Sequence, residues 1–363
     1  MSSHQTRIGR WLLALALFAA TIGSLAFGGD AALAASKAHC TTTIEPGVHQ
    51  LDVDGWDAVV PVPAEAIPWA PVPPLLYVPE SASARNVPLV VVLHPSGSTG
   101  DGMITGFYED SRLVADEHGF AMLLVSGVIG PVFGGFEWIV PGVPLFYRAL
   151  PADPPTYAPP GARDDVEFIE AAIDAAAEEM CIDLARVYVT GFSGGARMAS
   201  QLACDLSDRV AAVAPISGIR FPLASDANLG LPHSQDCDPV RAVPMVTIHG
   251  LLDTVNPWAS GTPGTSWSYS GETAVERWVD HNSCRETPYV TAMTDNIDLL
   301  EYRACHGNGD VTVAMVKNGE HNVPGFWLPW APNPNLEVDG FELAWDLLAS
   351  YRLPGKYVAS LNK

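Results

Sequence analysis

The sequence predicts an α/β fold with a mostly parallel central sheet flanked by helices. Three observations carry that prediction. Short, continuous β-branched runs are bounded by turn residues, helical periodicities lie between those runs, and a glycine-framed serine sits where one run gives way to a helix. With 363 residues, 48% of them apolar, the chain can bury a large core, and a doubly wound domain uses most of such a length by itself.

The first residues stand apart from the rest. Arg7 and Arg10 precede an apolar run from Trp11 to Phe27, and Ala32-Leu33-Ala34 has the small-x-small form that signal peptidase accepts. Residues 1–34 are therefore expected to be a cleaved signal peptide, leaving residues 35–363 as one exported domain. A retained anchor is the competing reading, since the run approaches the ~20 apolar residues that span a bilayer. The cleavage site favours removal, with no stable membrane association afterwards. Six cysteines, Cys40, Cys181, Cys204, Cys237, Cys284 and Cys305, follow the leader, and no Cys-x-x-Cys occurs among them. Three structural disulfides of an extracellular protein account for every thiol, with fifteen pairings open to sequence alone.

From Cys40 to about Pro79, alternating apolar residues mixed with prolines suit short edge strands and turns. Val87 to His94 is a continuous run that ends in Pro95-Ser96-Gly97-Ser98-Thr99-Gly100, as expected of a central parallel strand covered on both faces. Further runs follow at Ala121 to Val125, Val187 to Thr190, Met245 to His249 and Val311 to Val316. Val166, Ile169, Ile173 and Met180 repeat at near-helical spacing, and Phe341, Trp345 and Leu348 share one face of a last helix before Pro354. Residues 127–163 and 219–243, rich in Pro and Gly, read as long loops and candidate walls of a cleft.

The chemistry concentrates at Gly191-Phe192-Ser193-Gly194-Gly195, between the run ending at Thr190 and a helical stretch from Ala196 to Leu206. A serine hydroxyl is a poor nucleophile at neutral pH, so it must stand clear of the sheet on a tight turn. Small neighbours let strand and helix approach there. This is the nucleophile elbow of an α/β-hydrolase fold, which predicts the order serine, acid, histidine, each past a strand end. Asp253 follows the run Met245 to His249, and His321 follows the run Val311 to Val316. In this reading His321 takes the Ser193 proton while Asp253 holds the imidazole's tautomer. His306, beside Cys305, is a rival base. For the oxyanion, Gly194 offers a backbone N–H at a helix start, and the turn after His94 offers a second. Pro95 has none, so Ser96 is the better choice, with Gly97 behind it. His94 itself is expected to order that loop.

These residues resemble the secreted polyhydroxybutyrate depolymerase and feruloyl esterase family of carbohydrate-esterase-like α/β-hydrolases. The resemblance rests on Leu93-His94, Gly191 to Gly195, His249 to Asp253 and His321, and extends to Asp164-Asp165-Val166, Cys181-Ile182-Asp183 and Leu202-Ala203-Cys204. It implies a serine esterase that works through an acyl-enzyme, with Cys181–Cys204 and Cys284–Cys305 bridges that leave Cys40 and Cys237 for each other. Pro95, where the family commonly has Gly, and Gly194, where it often has Asn or Ala, are departures. The resemblance covers polyhydroxyalkanoate-type polyesters, short-chain and feruloyl esters, and acetyl-xylan alike.

Aromatics gather where a cleft is expected: Phe136 and Trp138, Trp258 past Asp253, and Phe326, Trp327 and Trp330 past His321. Trp138, Trp258 and Trp327 are the candidates for an exposed apolar platform beneath an ester substrate. An acyltransferase with the same triad and a non-catalytic binding protein on a hydrolase scaffold are the rival classes. The charge excludes nucleic acid as a partner. Against 19 basic residues stand 41 acidic ones, and losing Arg7, Arg10 and Asp30 with the leader leaves 17 against 40, about −23. The ten histidines show no His-x-x-x-His or His-x-His spacing and the acidic residues no calcium-loop pattern, so neither a metal nor another cofactor is expected.

Overall fold

The computed structural model describes residues 44–58, 60–61, 72–82, 86–105, 111–132, 135–141, 143, 161–221, 237–259, 270–326 and 337–361. The expected signal peptide, Cys40, Trp327 and Trp330 lie outside them. The first half of the chain forms strands β1 (Gly47–Gln50), β2 (Val60–Pro61), β3 (Leu75–Val78) and β4 (Val87–Leu93), helix α1 (Ser111–His118), then β5 (Ala121–Val125), β6 (Ile129–Val132) and β7 (Gly135–Glu137). Helix α2 (Asp165–Glu179), β8 (Ile182–Phe192), α3 (Gly194–Asp205), β9 (Ala212–Ile216) and β10 (Met245–Gly250) build the centre. The chain closes with α4 (Gly271–His281), β11 (Tyr289–Ala292), β12 (Ile297–Tyr302), β13 (Val311–Val316), α5 (Gly340–Leu348) and α6 (Gly355–Leu361).

Ten strands make one sheet in the order β1-β3-β5-β4-β8-β9-β10-β13-β12-β11. The six from β5 to β13 are parallel, while β3 and β1 at one edge and β12 and β11 at the other run antiparallel. Each of β4, β5, β9, β10 and β13 is buried along its whole length, the pattern of parallel strands covered on both faces. Helices α3 and α5 pack on the central strands and α2 packs on β5 and β8. This is the α/β-hydrolase arrangement expected from the alternation of runs and periodicities. The Asp164 side chain caps α2 by accepting from the Val166 and Glu167 N–H groups, which explains one of the residues that carry the resemblance.

Two sequence expectations change. Residues 127–163 hold more than a loop, because β6 and β7 pair as a hairpin and β2 adds to them as a second, three-stranded sheet. Strand β9, between β8 and β10, went unread because Ala-Val-Ala-Pro-Ile lacks the β-branched density of its neighbours. Its Pro215 still serves the sheet as an acceptor, taking a hydrogen bond from the Thr247 hydroxyl at 2.9 Å.

The disulfide pattern is also corrected. Cys284–Cys305 forms as the resemblance implies, but Cys204 pairs with Cys237, so neither Cys181–Cys204 nor Cys40–Cys237 exists. The reason lies in the route to β10. That segment passes the end of α3, where the Ser207 hydroxyl accepts from the Val240 N–H at 3.0 Å and the Ser207 carbonyl accepts from Arg241 Nε at 2.6 Å, and Cys237 is thereby laid beside Cys204. Cys181 is itself disulfide-bonded. Peptide mapping without reduction should recover Cys204–Cys237 and Cys284–Cys305 as linked fragments, and a Cys181–Cys204 fragment would refute this pairing.

Candidate active site

Ser193 stands between the end of β8 and the start of α3 with φ 54° and ψ −110°, a conformation that L-residues avoid and that costs roughly 1–3 kcal/mol. Two glycines make the turn possible. A Cβ on Gly195 would overlap the Leu93 carbonyl, and one on Gly191 would stand 2.6 Å from the Gly195 carbonyl carbon and 2.9 Å from Leu93 Cβ. The Ser193 N–H donates to the Ile216 carbonyl at 3.0 Å and its carbonyl accepts the first helical bond, from Arg197. The turn is thus held on both sides, and the serine side chain has few rotamers left to explore.

His321 Nε2 lies 2.9 Å from Ser193 Oγ, and His321 Nδ1 lies 2.8 Å from Asp253 Oδ2. A carboxylate only accepts, so the Nδ1 atom carries the proton and Nε2 is left as the acceptor for the serine hydroxyl. Asp253 Oδ1 accepts two backbone N–H groups, from Val255 and Asn256, each at 2.8 Å. Burial works to raise the Asp253 carboxyl, but the His321 hydrogen bond, the nearby imidazoles and the backbone donor outweigh it, and the group is held below the usual carboxylate range. The ring of Phe192 packs on His321 with centroids 5.0 Å apart. His306, the rival base, is exposed ahead of β13, at the opposite end of that strand from His321.

A residue that the sequence reading missed ties these loops together. Ser217, at the end of β9 with φ 49°, donates its N–H to the Ile248 carbonyl and its hydroxyl to the Asn322 carbonyl at 3.1 Å. Its own carbonyl accepts from Asn256 Nδ2 at 2.6 Å, and the Asn256 carbonyl accepts from His249 Nε2 at 2.8 Å. The acid loop and the histidine loop are therefore clasped to the strand end beside the nucleophile. Without a recognised β9, nothing in the sequence marked Ser217.

The turn after β4 is built as tightly. The Gly97 N–H donates to the Phe136 carbonyl at 2.9 Å, and the Phe136 N–H donates to the Ser98 carbonyl at 2.8 Å, so hairpin β6–β7 pins this loop and removes Gly97 as an oxyanion donor. Among the described residues, neither the Ser96 nor the Gly194 N–H has a protein acceptor. A Cβ on Gly194 would meet the Ser96 nitrogen at 2.8 Å, so these two residues face each other across the site. His94 is fully buried. Its Nδ1–H donates to the Pro95 carbonyl at 2.8 Å and its Nε2 accepts from the Gly127 N–H at 2.9 Å.

Among the described residues, Trp258 alone of the candidate aromatics reaches the surface. Trp138 is 2% exposed, stacks on His94 at 4.6 Å and donates its indole N–H to the His94 carbonyl at 2.8 Å, so it braces the oxyanion loop rather than lying open to a polymer. Phe136 and Phe326 are buried as well. Trp258 is partly exposed and packs against His249 at 5.3 Å. Beside Ser96 and Gly194 lies a narrow recess of about 10 Å³, room for about one water, lined also by Trp138, Val140, Val143 and the buried residues Glu137 and Arg197. Among the described residues no helix is long and apolar enough to cross a membrane.

No family model matches the chain. It is similar to feruloyl esterase B of Piromyces equi, at 27% identity over 196 residues, which are 53% of this chain and 32% of that protein. It is also similar to feruloyl esterase D of Neurospora crassa, at 29% identity over 180 residues, 48% of this chain and 54% of that protein. The chain thus spans from about a third to just over half the length of these curated relatives. Among solved structures, an acetyl xylan esterase from Aspergillus awamori aligns with a TM-score of 0.49 at 16% identity, covering 76% of this chain and 93% of that one. The resemblance to feruloyl-esterase-like α/β-hydrolases that the motifs imply is borne out by the relatives.

The partners of His94 admit only the neutral ring, and burial, partly offset by the Pro95 hydrogen bond, lowers its pKa from 6.5 to about 4. The unfolded chain then binds more protons than the folded one between those values. Stability is accordingly full above pH 6.5 and is lost as pH falls toward 4, by about 3 kcal/mol from this one group. Urea unfolding of wild type and His94→Asn at pH 7, 5.5 and 4.5 should show the shallower decline in the variant. Equal declines would refute the assignment.

Proposed function

We propose that this chain is a serine carboxylic-ester hydrolase that acts through an acyl-enzyme. The observation that carries the reading is the hydrogen-bonded series Ser193–His321–Asp253, with 2.9 and 2.8 Å between successive partners. Ser193 Oγ attacks the ester carbonyl carbon as its proton passes to His321 Nε2, and the carbonyl electron pair moves onto oxygen, facing the Ser96 and Gly194 N–H groups. The C–O bond to the alcohol then breaks and His321 returns the proton to that alcohol. Water repeats the sequence on the acyl-serine and releases the acid.

The names of the relatives favour a feruloyl-type ester as substrate. A second reading, a short-chain acyl group such as acetyl or the repeat unit of a hydroxyalkanoate polyester, is one that the motif resemblance covers equally. We place the enzyme outside the cytoplasm, in keeping with described cysteines that are all disulfide-bonded. Ester substrates are the expected partners, and transfer to an alcohol or pure binding are the rival activities.

Turnover of p-nitrophenyl acetate should fall by about 10⁶-fold in kcat for Ser193→Ala and by a comparable factor for His321→Ala. A Ser193→Ala protein as active as wild type would end the hydrolase reading. Across p-nitrophenyl acetate, butyrate, methyl ferulate, acetylated xylan and amorphous polyhydroxybutyrate, the short-chain reading predicts kcat/KM falling with acyl size. A preference for methyl ferulate over acetate would instead select the feruloyl reading.

A further inference from the structure

We propose that the Ser96 hydroxyl is itself a catalytic oxyanion donor, so that Ser96 gives two hydrogen bonds to the developing charge, one from its backbone and one from its side chain. The proposal rests on the reading of Ser193 as nucleophile and deepens it.

Ser96 Oγ is buried and has no hydrogen-bond partner among the described residues. Buried polar atoms are almost always paired, and an orphan in a native structure calls for an explanation. Its position supplies one. A Cβ on Gly194 would stand 2.5 Å from Ser96 Oγ and 2.8 Å from Ser96 N, so both donors of Ser96 lie over the Cα of the residue that offers the other N–H. Ser96 and Gly194 also line the same narrow recess.

The loop around Ser96 is rigid where an oxyanion donor needs it to be. The Ser98 N–H donates to the Pro95 carbonyl, Gly97 is tied to Phe136, and His94 and Trp138 brace the turn from beneath. No protein acceptor competes for the hydroxyl proton, which is free to rotate toward an incoming charge. The same geometry explains Gly194. Any side chain there, including the Ala or Asn common in the resembling family, would occupy the space of the Ser96 hydroxyl, and the chain carries glycine.

The step moves no atom to or from Ser96. As Ser193 Oγ bonds to the carbonyl carbon, the carbonyl electron pair moves onto oxygen, and Ser96 Oγ–H donates a hydrogen bond to it. The proton stays on Ser96, and the pair returns to the C=O bond when the alcohol leaves.

Three measurements on Ser96→Ala test this: steady-state kinetics on p-nitrophenyl butyrate, thermal unfolding, and inhibition by a short alkyl boronic acid, whose tetrahedral adduct places an oxygen where the oxyanion forms. The expected result is a kcat about 10²-fold lower with KM little changed, boronate affinity weakened in parallel, and Tm not lowered. The last follows because an unpartnered hydroxyl has no bond to lose on folding. Undiminished kcat, or a loss of kcat accompanied by a lower Tm and unchanged boronate affinity, overturns the proposal in favour of a structural serine. Ser193→Ala is the control. Activity in that variant defeats the hydrolase reading itself, whereas an inactive Ser193→Ala with a fully active Ser96→Ala defeats only the role of the hydroxyl.

Discussion

The architecture of the site depends on one close approach, that of Gly195 at the start of α3 to the Leu93 carbonyl at the end of β4. No side chain fits at that contact. The approach brings two neighbouring strand ends together, because Leu93 pairs with Gly191 in the parallel register of β4 and β8. The proposed nucleophile is carried by one strand and the proposed oxyanion loop by the other, so their separation is set by backbone contact. A serine held at φ 54° is strained by itself, and it persists because the turn is bonded through Ile216 on one side and Arg197 on the other. In the proposed reaction, a backbone held in this way presents the hydroxyl from a fixed position.

The rest of the relay is positioned from the next strand along. Strand β9 contributes no member of the proposed triad, yet the residues at its end meet all three loops: Ile216 the Ser193 turn, and Ser217 both the Asp253 segment, through Asn256, and the His321 loop, through Asn322. At the far side, Leu252 N–H donates to the Gly319 carbonyl at 2.8 Å, which joins the acid and histidine loops directly. Errors in loop position are expensive in catalysis, since a misplacement of about 1 Å can cost roughly 10²-fold. Fixing each loop at two points to a buried parallel sheet is the physical answer to that demand.

The sequence made legible those features that local pattern encodes. Strands β4, β5, β10 and β13 were visible as apolar runs, and the convergence of Ser193, Asp253 and His321 was foreseeable because a parallel sheet places loop residues past its strand ends in a fixed order. Features that depend on distant partners were not visible. The Ala- and Pro-containing β9 hid Ser217, the hairpin β6–β7 lay in a segment whose glycines read as loop, and Trp138 counted as a surface aromatic until its bond to the His94 carbonyl was seen. The Cys204–Cys237 bridge belongs to the same class. Its partner is chosen by the path the chain takes around the end of α3, which no spacing rule records.

Charge poses a last problem. A chain with net charge −22 is poorly suited, taken as a whole, to the proposed reaction, which gathers negative charge on an ester oxygen. Screening removes most of that conflict, because exposed charges act weakly beyond the ~8–10 Å Debye length at physiological salt. Within that radius the proposed oxyanion meets hydrogen-bond donors. The amides of Ser96 and Gly194 and the positive end of α3 face the oxygen, and the nearest buried cation, Arg197, lies one turn into the same helix with its Nε 3.5 Å from the Ser193 carbonyl. Burial pulls the Arg197 pKa down to about 10, against the upward pull of Glu137, and it therefore remains a cation at neutral pH. A charge desolvated there acts through a lower dielectric than any surface carboxylate does. The acidic surface can then serve solubility while the proposed oxyanion is met by oriented backbone donors, and the two need not be traded against each other.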